Sequence, residues 1–381
     1  MKKVIKNMDI WLLVLMILFS SFGLLMIFSA SSIAAVLKNN TTSSYYFIKQ
    51  LVSVIIAFGV GVVIVNIPTN WYKPFFARLA VYGIIVALIF VLSYGIISNG
   101  AQSWYDFGKF DFQPAELAKS ILIIYFGVYY NKLLKSNHQN YLNLIKPIVF
   151  SVVIAVLVFM QPDFGGAVII ASLAFFIFLS VPMSQKLKKN IILFLVTVVG
   201  VGLVTALLFG KNIFNENQMQ RFVFLNPCSR YQQNTGYQVC NSYIAINNGG
   251  LLGVGLGDST QKYLYLPEAH TDFIFPIIVE ELGLLVGIAV LLGYIFLLSR
   301  ILIIAKKANN IRNSTIAYGV FLLLISHILI NLLGVLGLFP LTGVPLPFLS
   351  YGGSFNLFIL ALLFIVQRIS IENKMNIDKK I

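Results

Sequence analysis

Stretches of about twenty nearly all-apolar residues recur along this chain, separated by short polar breaks. They fall at residues 10–30, 47–67, 76–98, 113–133, 146–161, 165–182, 190–210, 272–299, 315–338 and 350–368. That length is what an α-helix needs to cross roughly 30 Å of hydrocarbon. A backbone crossing lipid must pair its own polar groups, and a helix does so within one segment. The pattern therefore predicts an all-α polytopic membrane protein of about ten helices. Composition agrees: the chain is 59% hydrophobic and 10% charged, with mean hydropathy +0.88. Soluble domains carry roughly a quarter of their residues as charges. The run at 10–30 is too long for a signal-peptide core and lacks a small-x-small exit, so it reads as the first span.

The net charge of +14 would suggest nucleic acid in a soluble chain. Here topology accounts for it. Of 27 basic residues, nineteen lie at one set of helix ends: Lys2, Lys3, Lys6, Lys73, Arg78, Lys132, Lys135, Lys146, Lys186, Lys188, Lys189, Arg300, Lys306, Lys307, Arg312, Arg368, Lys374, Lys379 and Lys380. Only Asp9, Glu372 and Asp378 of the 13 acids join them. Basic loops face the cytoplasm. Both termini are then cytoplasmic, an even span count follows, and no nucleic-acid role is expected.

The opposite, outer side carries the unusual loops. Residues 99–112 hold Trp104, Tyr105 and Phe107 among charges, a mix suited to the headgroup level. The longest loop, about 211–271 between spans seven and eight, exceeds ordinary connections and so points to function. Its glycine-dense part, Asn247 to Gly257, has neither a Walker pattern nor a strand–GxGxxG–helix context. Turns and close backbone packing explain it. Cys228 and Cys240, the sole cysteines, both lie in this loop. Outside the cytoplasm a disulfide is their simplest use; two free thiols is the alternative.

One stretch concentrates chemistry: Pro267-Glu268-Ala269-His270-Thr271-Asp272-Phe273, with Glu280 and Glu281 two turns into the following helix. An acid within a membrane helix costs roughly 2.5–3.5 kcal/mol on insertion scales, so such a cluster points to a working site. A wet loop with an ion pair pinning two helices is the plainer reading. Four further constellations accompany it. Glu116 and Lys119, three apart behind Pro114, share a helix face, as an internal ion pair or as a cavity wall. Asp163, in Gln161-Pro162-Asp163-Phe164-Gly165, either caps the next helix or faces the site. Arg221 is one of few outer basic residues and has a guanidinium able to grip a phosphate. Residues 340–354, rich in Pro and Gly and including Ser350, read as a re-entrant turn. Irregular backbone at that depth occurs only where protein buries it or a wet cavity adjoins it.

In order, Phe112-Gln113-Pro114-Ala115-Glu116-Leu117-Ala118-Lys119, Gln161-Pro162-Asp163-Phe164-Gly165, Arg221 with Asn226-Pro227, Pro267 to Phe275, Glu280-Glu281-Leu282-Gly283 and Pro345 to Ser354 resemble the SEDS family (FtsW, RodA, SpoVE) of peptidoglycan polymerases. Pro-Glu-Ala-His-Thr-Asp is closer to its FtsW-like division branch. The resemblance implies one membrane domain over 1–381 with ten helices in the bacterial cytoplasmic membrane. It implies polymerisation of lipid II into glycan strands on the outer face, and a class B penicillin-binding transpeptidase as partner. It also implies that Asp272 is the essential acid. The cysteine pair is a departure that many members lack.

That reaction needs a base for the acceptor hydroxyl and cations for the departing pyrophosphate. Asp272 at a helix N-terminus is the expected base, and a carboxylate there also suits a divalent cation such as Mg or Mn. Arg221 and Lys119 are expected at the phosphates. Glu116, Asp163, His270, Ser350 and Glu280 are expected as substrate-binding walls. On a straight helix Glu280 lies about 80° from Asp272 and Glu281 about 180°, which favours Glu280. Bilayer lipid and a growing strand on polyprenyl pyrophosphate complete the partners. A lipid-precursor flippase is the rival class, since buried charges and broken helices also mark transporters. The crowding of acids on one face, without two matching halves, counts against it. A non-enzymatic scaffold would leave the Asp272 cluster without purpose.

Overall fold

The computed structural model describes residues 2–38, 40–98, 101–106, 108, 111–136, 140–183, 185–193, 224–232 and 234–378. A short helix α1 (Lys2–Asn7) precedes the membrane helices α2 (Ile10–Leu37), α3 (Tyr45–Asn66), α4 (Pro74–Tyr94), α5 (Pro114–Lys135), α6 (Tyr141–Met160) and α7 (Phe164–Ser180). After α8 (Asn234–Gly249) come α9 (Ile274–Lys306), α10 (Ile311–Val335) and α11 (Gly353–Asp378). Seven of these, α2, α3, α4, α6, α9, α10 and α11, are long and apolar enough to cross a membrane by hydropathy. Helix α7 is apolar but shorter, and α5 carries charges along its length. Residues 185–193 are helical, and the rest of the expected seventh span, 190–210, lies outside the described residues. The chain is thus a multi-pass membrane protein.

Sequence chemistry sets the helix starts. Asp9 caps α2 by accepting from Leu12 N at 2.9 Å, Asp163 caps α7, and Pro74 and Pro114 open α4 and α5. The outer segment expected at the headgroups contains a small antiparallel sheet, order β1-β2-β3, of Ile96–Ser98, Ala101–Asp106 and Asp111–Phe112. Trp104 pairs with Ile96, and Tyr105 with Phe112. Tyr105 donates to Ala87 O at 2.9 Å and Ser103 to Gln161 O at 3.2 Å, which seats the sheet on the outer ends of α4 and α6.

The basic end is cross-tied by the few acids found there. Asp9 pairs with Arg300 at 2.5 Å, and Gln367 accepts from Asp9 N and donates to Asp9 O. Glu372 accepts from Thr69 N, Thr69 Oγ1, Asn313 Nδ2 and Arg368 Nε at 2.6–3.0 Å. These contacts join the starts of α2 and α10 to the ends of α3, α9 and α11. The helices therefore alternate in direction, as the charge pattern requires. Helix α11 is the most enclosed span and packs mainly against α3.

Candidate active site

The site forms around residues 336–352, the irregular connection from α10 to α11. It dips among the helices rather than running over them. Gly23 of α2 admits its backbone: a Cβ there would lie 2.1 Å from Phe348 O. Tyr294 of α9 donates to Pro347 O at 2.5 Å. Asn356 of α11 accepts from Phe348 N and donates to Ser350 O. Buried irregular backbone is thus paired from α9 and α11 and given room by α2, as the membrane interior demands.

This connection meets Asp272 from below. Gly343, at φ +72°, lies against the carboxylate; a Cβ at that position would stand 3.3 Å from Asp272 Oδ2. Asn331 of α10 donates through one amide to Asp272 O and Val344 O, both at 2.8 Å. Ser350 is wholly buried, accepts from Leu346 N at 2.7 Å and donates to Thr271 O at 2.6 Å. Tyr351 N donates to His270 O at 2.9 Å. The backbone of 270–272 is therefore fixed at three successive carbonyls. Asp272 itself is half-buried, one residue before the cap of α9, where the helix dipole favours a carboxylate.

His270 is half-buried against Tyr46 (4.5 Å) and Tyr351 (5.8 Å). Burial lowers its pKa to about 4, with Glu268 acting in the opposite direction and Lys38 in the same one. The ring is neutral at pH 7. Glu268 holds a positive φ of 57° and accepts from Thr271 Oγ1 at 2.9 Å. Burial also raises the Tyr351 hydroxyl well above its ordinary value, and Asp111 adds to the rise.

One turn below, Lys119 (1% exposed) pairs with Glu116 at 2.6 Å and reaches His327 Nε2 at 3.2 Å. His327 Nδ1 lies 3.4 Å from Pro345 O. A polar chain thus runs Glu116–Lys119–His327 to the same connection that touches Asp272. Asp163 joins through its neighbours. It accepts from Gly166 N at 2.8 Å and from Gln113 Nε2 at 3.4 Å, and a Cβ on Gly165 would meet Val344 and Thr342. Glu116, Lys119, Asp163, Asp272, His270 and Ser350 therefore converge on residues 342–351. Arg221 lies outside the described residues.

Glu280 is placed elsewhere, which corrects the straight-helix expectation. It is fully buried and accepts from Ser259 Oγ, Thr260 Oγ1 (2.9 Å), Asn248 Nδ2 (3.2 Å) and the Gln261 amide (3.3 Å). Glu281 takes Lys262 at 3.0 Å and Ser29 at 2.6 Å. The outer loop thus supplies donors that claim both carboxylates. Sequence reasoning missed His327, Asn331 and Lys262. The signal for the first two was present: two polar residues four apart on one face of an apolar span.

Cys228 and Cys240 are bridged, with Cα atoms 4.9 Å apart, tying Pro227–Arg230 to α8. Among the described residues no group of three or more His, Cys, Asp or Glu stands ready to hold a metal ion. A cation at Asp272 would draw its other ligands from water and substrate phosphate, a pattern magnesium accepts.

The model of the cell cycle protein family FtsW/RodA/SpoVE matches residues 9–375. A curated relative, "Probable peptidoglycan glycosyltransferase FtsW" of Bacillus subtilis (strain 168), is 36% identical over 391 residues, covering 100% of this chain and 94% of that protein. Among solved structures, a chain of a peptidoglycan synthase complex that coordinates polymerization and crosslinking superposes with TM-score 0.74 at 22% identity, covering 95% of this chain and 97% of that one. The rod shape determining protein RodA of Thermus thermophilus gives TM-score 0.66 at 23% identity, covering 95% and 96%.

Proposed function

Because the chain belongs to the FtsW/RodA/SpoVE family, we propose that it is a peptidoglycan glycosyltransferase that joins lipid II units on the outer membrane face, with Asp272 as its base. The carrying observation is the fixation of residues 270–272 by Asn331, Ser350 and Tyr351, which holds one half-buried carboxylate at the outer end of α9. The acceptor hydroxyl gives its proton to Asp272 as its oxygen bonds to the anomeric carbon. The anomeric carbon–phosphate oxygen bond breaks, and polyprenyl pyrophosphate leaves. Lys119 and Arg221 are the proposed cations toward that leaving group. Glu116 and His327 keep Lys119 in place, since a buried ammonium needs partners. A bound Mg or Mn ion at Asp272 would supply further positive charge to the pyrophosphate. The partner is a penicillin-binding transpeptidase that crosslinks the strands made here, and the reading follows the FtsW-like division branch.

Purified protein supplied with lipid II tests this. Asp272→Asn is expected to insert and accumulate normally yet form no glycan chains. Full polymerisation by that variant would remove Asp272 from the mechanism. Leaflet exchange of lipid II without chain growth in the unaltered protein would favour the flippase class. Arg221→Ala is expected to weaken use of substrate more than it harms folding.

A further inference from the structure

Helix α9 is broken at Gly283, whose φ of +85° and ψ of 165° are far from helical. A continuous helix would bond Leu284 N to Glu280 O and Leu285 N to Glu281 O. Both pairs are exchanged for bonds to the glycine-dense segment. Leu284 N donates to Gly250 O (2.9 Å) and Leu285 N to Leu251 O (3.3 Å), while Val254 N donates to Glu280 O (2.9 Å) and Gly255 N to Glu281 O (3.0 Å). The approach is so close that a Cβ on Gly249, Gly253 or Gly283 would lie 2.0–2.3 Å from a carbonyl oxygen of the other strand. These four backbone groups beside the break are thereby paired, which lipid-level backbone requires.

The depth of this junction follows from the helix. Arg300 pairs with Asp9 at the inner end. From there about twenty residues of helix cover roughly 30 Å, the hydrocarbon thickness, and end near Glu280. Leu284 and Leu285 then lie inside the outer edge of the hydrocarbon. They head an exposed stripe continued by Ile288, Leu292 and Ile295, which is the lipid-facing side of α9. The docked segment extends that stripe: Leu251 is 64% exposed, Leu252 81%, and Val254 and Leu256 are about half exposed. Tyr263 and Tyr265, also exposed, follow at the level where aromatic residues favour the interface.

We infer that residues 250–256, although part of the outer loop, are immersed in the outer leaflet, with Leu251, Leu252 and Leu256 among its acyl chains. The loop is then a re-entrant anchor that sets the height of the 259–273 segment above the bilayer. This rests on the membrane reading of α9 and not on the assigned chemistry.

The test uses the full chain in vesicles of phosphatidylethanolamine and phosphatidylglycerol, with a nitroxide on Leu252→Cys or, separately, Leu256→Cys. The bridged native pair takes no label without reductant. Leu285→Cys serves as the lipid reference and Thr42→Cys, in an exposed outer loop, as the water reference. Broadening by oxygen relative to a water-soluble nickel chelate is expected to be severalfold higher at 252 and 256 than at 42, and close to that at 285. A ratio like that at 42 would overturn the inference. So would weak collision with both reagents, which would mean that protein, a second copy included, covers the segment. The inactive Asp272→Asn chain must give the same ratios, so failure of the catalytic reading leaves this result separate.

Discussion

Gly343 shows how much of the site rests on one missing side chain. It combines a left-handed φ with a place where any Cβ would stand 3.3 Å from Asp272 Oδ2. Alanine there would strain the backbone by about 1 kcal/mol and crowd the group proposed to take the proton. Gly343→Ala is therefore expected to lower kcat more than it raises KM in lipid II turnover. His270 makes a second case. Its pKa of about 4 lies below the ordinary 6.5, so between those values the unfolded chain binds more protons than the folded one. Stability then rises with pH across that window and is lost on acidification from about 6.5 toward 4. The loss is of order 1–3 kcal/mol, read as the melting temperature of purified protein against pH. His270→Gln is expected to flatten that profile; an unchanged slope would place the titrating group elsewhere. The sequence made Asp272, His270 and the Glu116–Lys119 pair visible, because charges in apolar surroundings stand out. It did not reveal that Ser350 spends both hydrogen bonds within the protein, since a hydroxyl's direction is set by tertiary contacts.

Elements show where sequence reasoning stopped. The places of the described spans and the inward dip of 336–352 were legible from hydropathy and from Pro and Gly, although α2, α9 and α11 run seven to ten residues past their expected ends. The orientation of Glu280 was not. A helical wheel drawn from Asp272 assumes that residue is helical, whereas α9 begins only at Ile274, and the donors that claim Glu280 come from residues 248–261, about twenty to thirty residues earlier in the chain. The sheet of 96–112 was missed because its strands are too short to show alternation. Gly283→Ala places a Cβ 2.3 Å from Leu251 O and is expected to undock residues 250–256. With buried backbone groups unpaired at roughly 1–3 kcal/mol each, the outer loop should become readily cleaved by added protease, while α10 and α11 stay protected.

The whole molecule has two ends with different tasks. The inner end is stitched by Asp9, Glu372 and their partners, and nothing in the proposed reaction needs it. It fixes helix register, so that the outer ends of α5, α9, α10 and α11 meet. The expected orientation rests on the basic residues that collect there. A reporter that is active only in the cytoplasm is expected to work when fused at either terminus. Activity of an export-dependent reporter at the C-terminus would invert the assignment and move Asp272 to the wrong compartment.

The exchanged bonds at Gly283 also constrain biogenesis. The segment that completes α9 is synthesised before it and must be exported first. Until it folds back, the nascent eighth span carries a gap that lipid cannot heal. Membrane insertion of this helix and delivery of the preceding loop are therefore one coupled event, and a chain stalled between the two would present its defect to quality-control proteases.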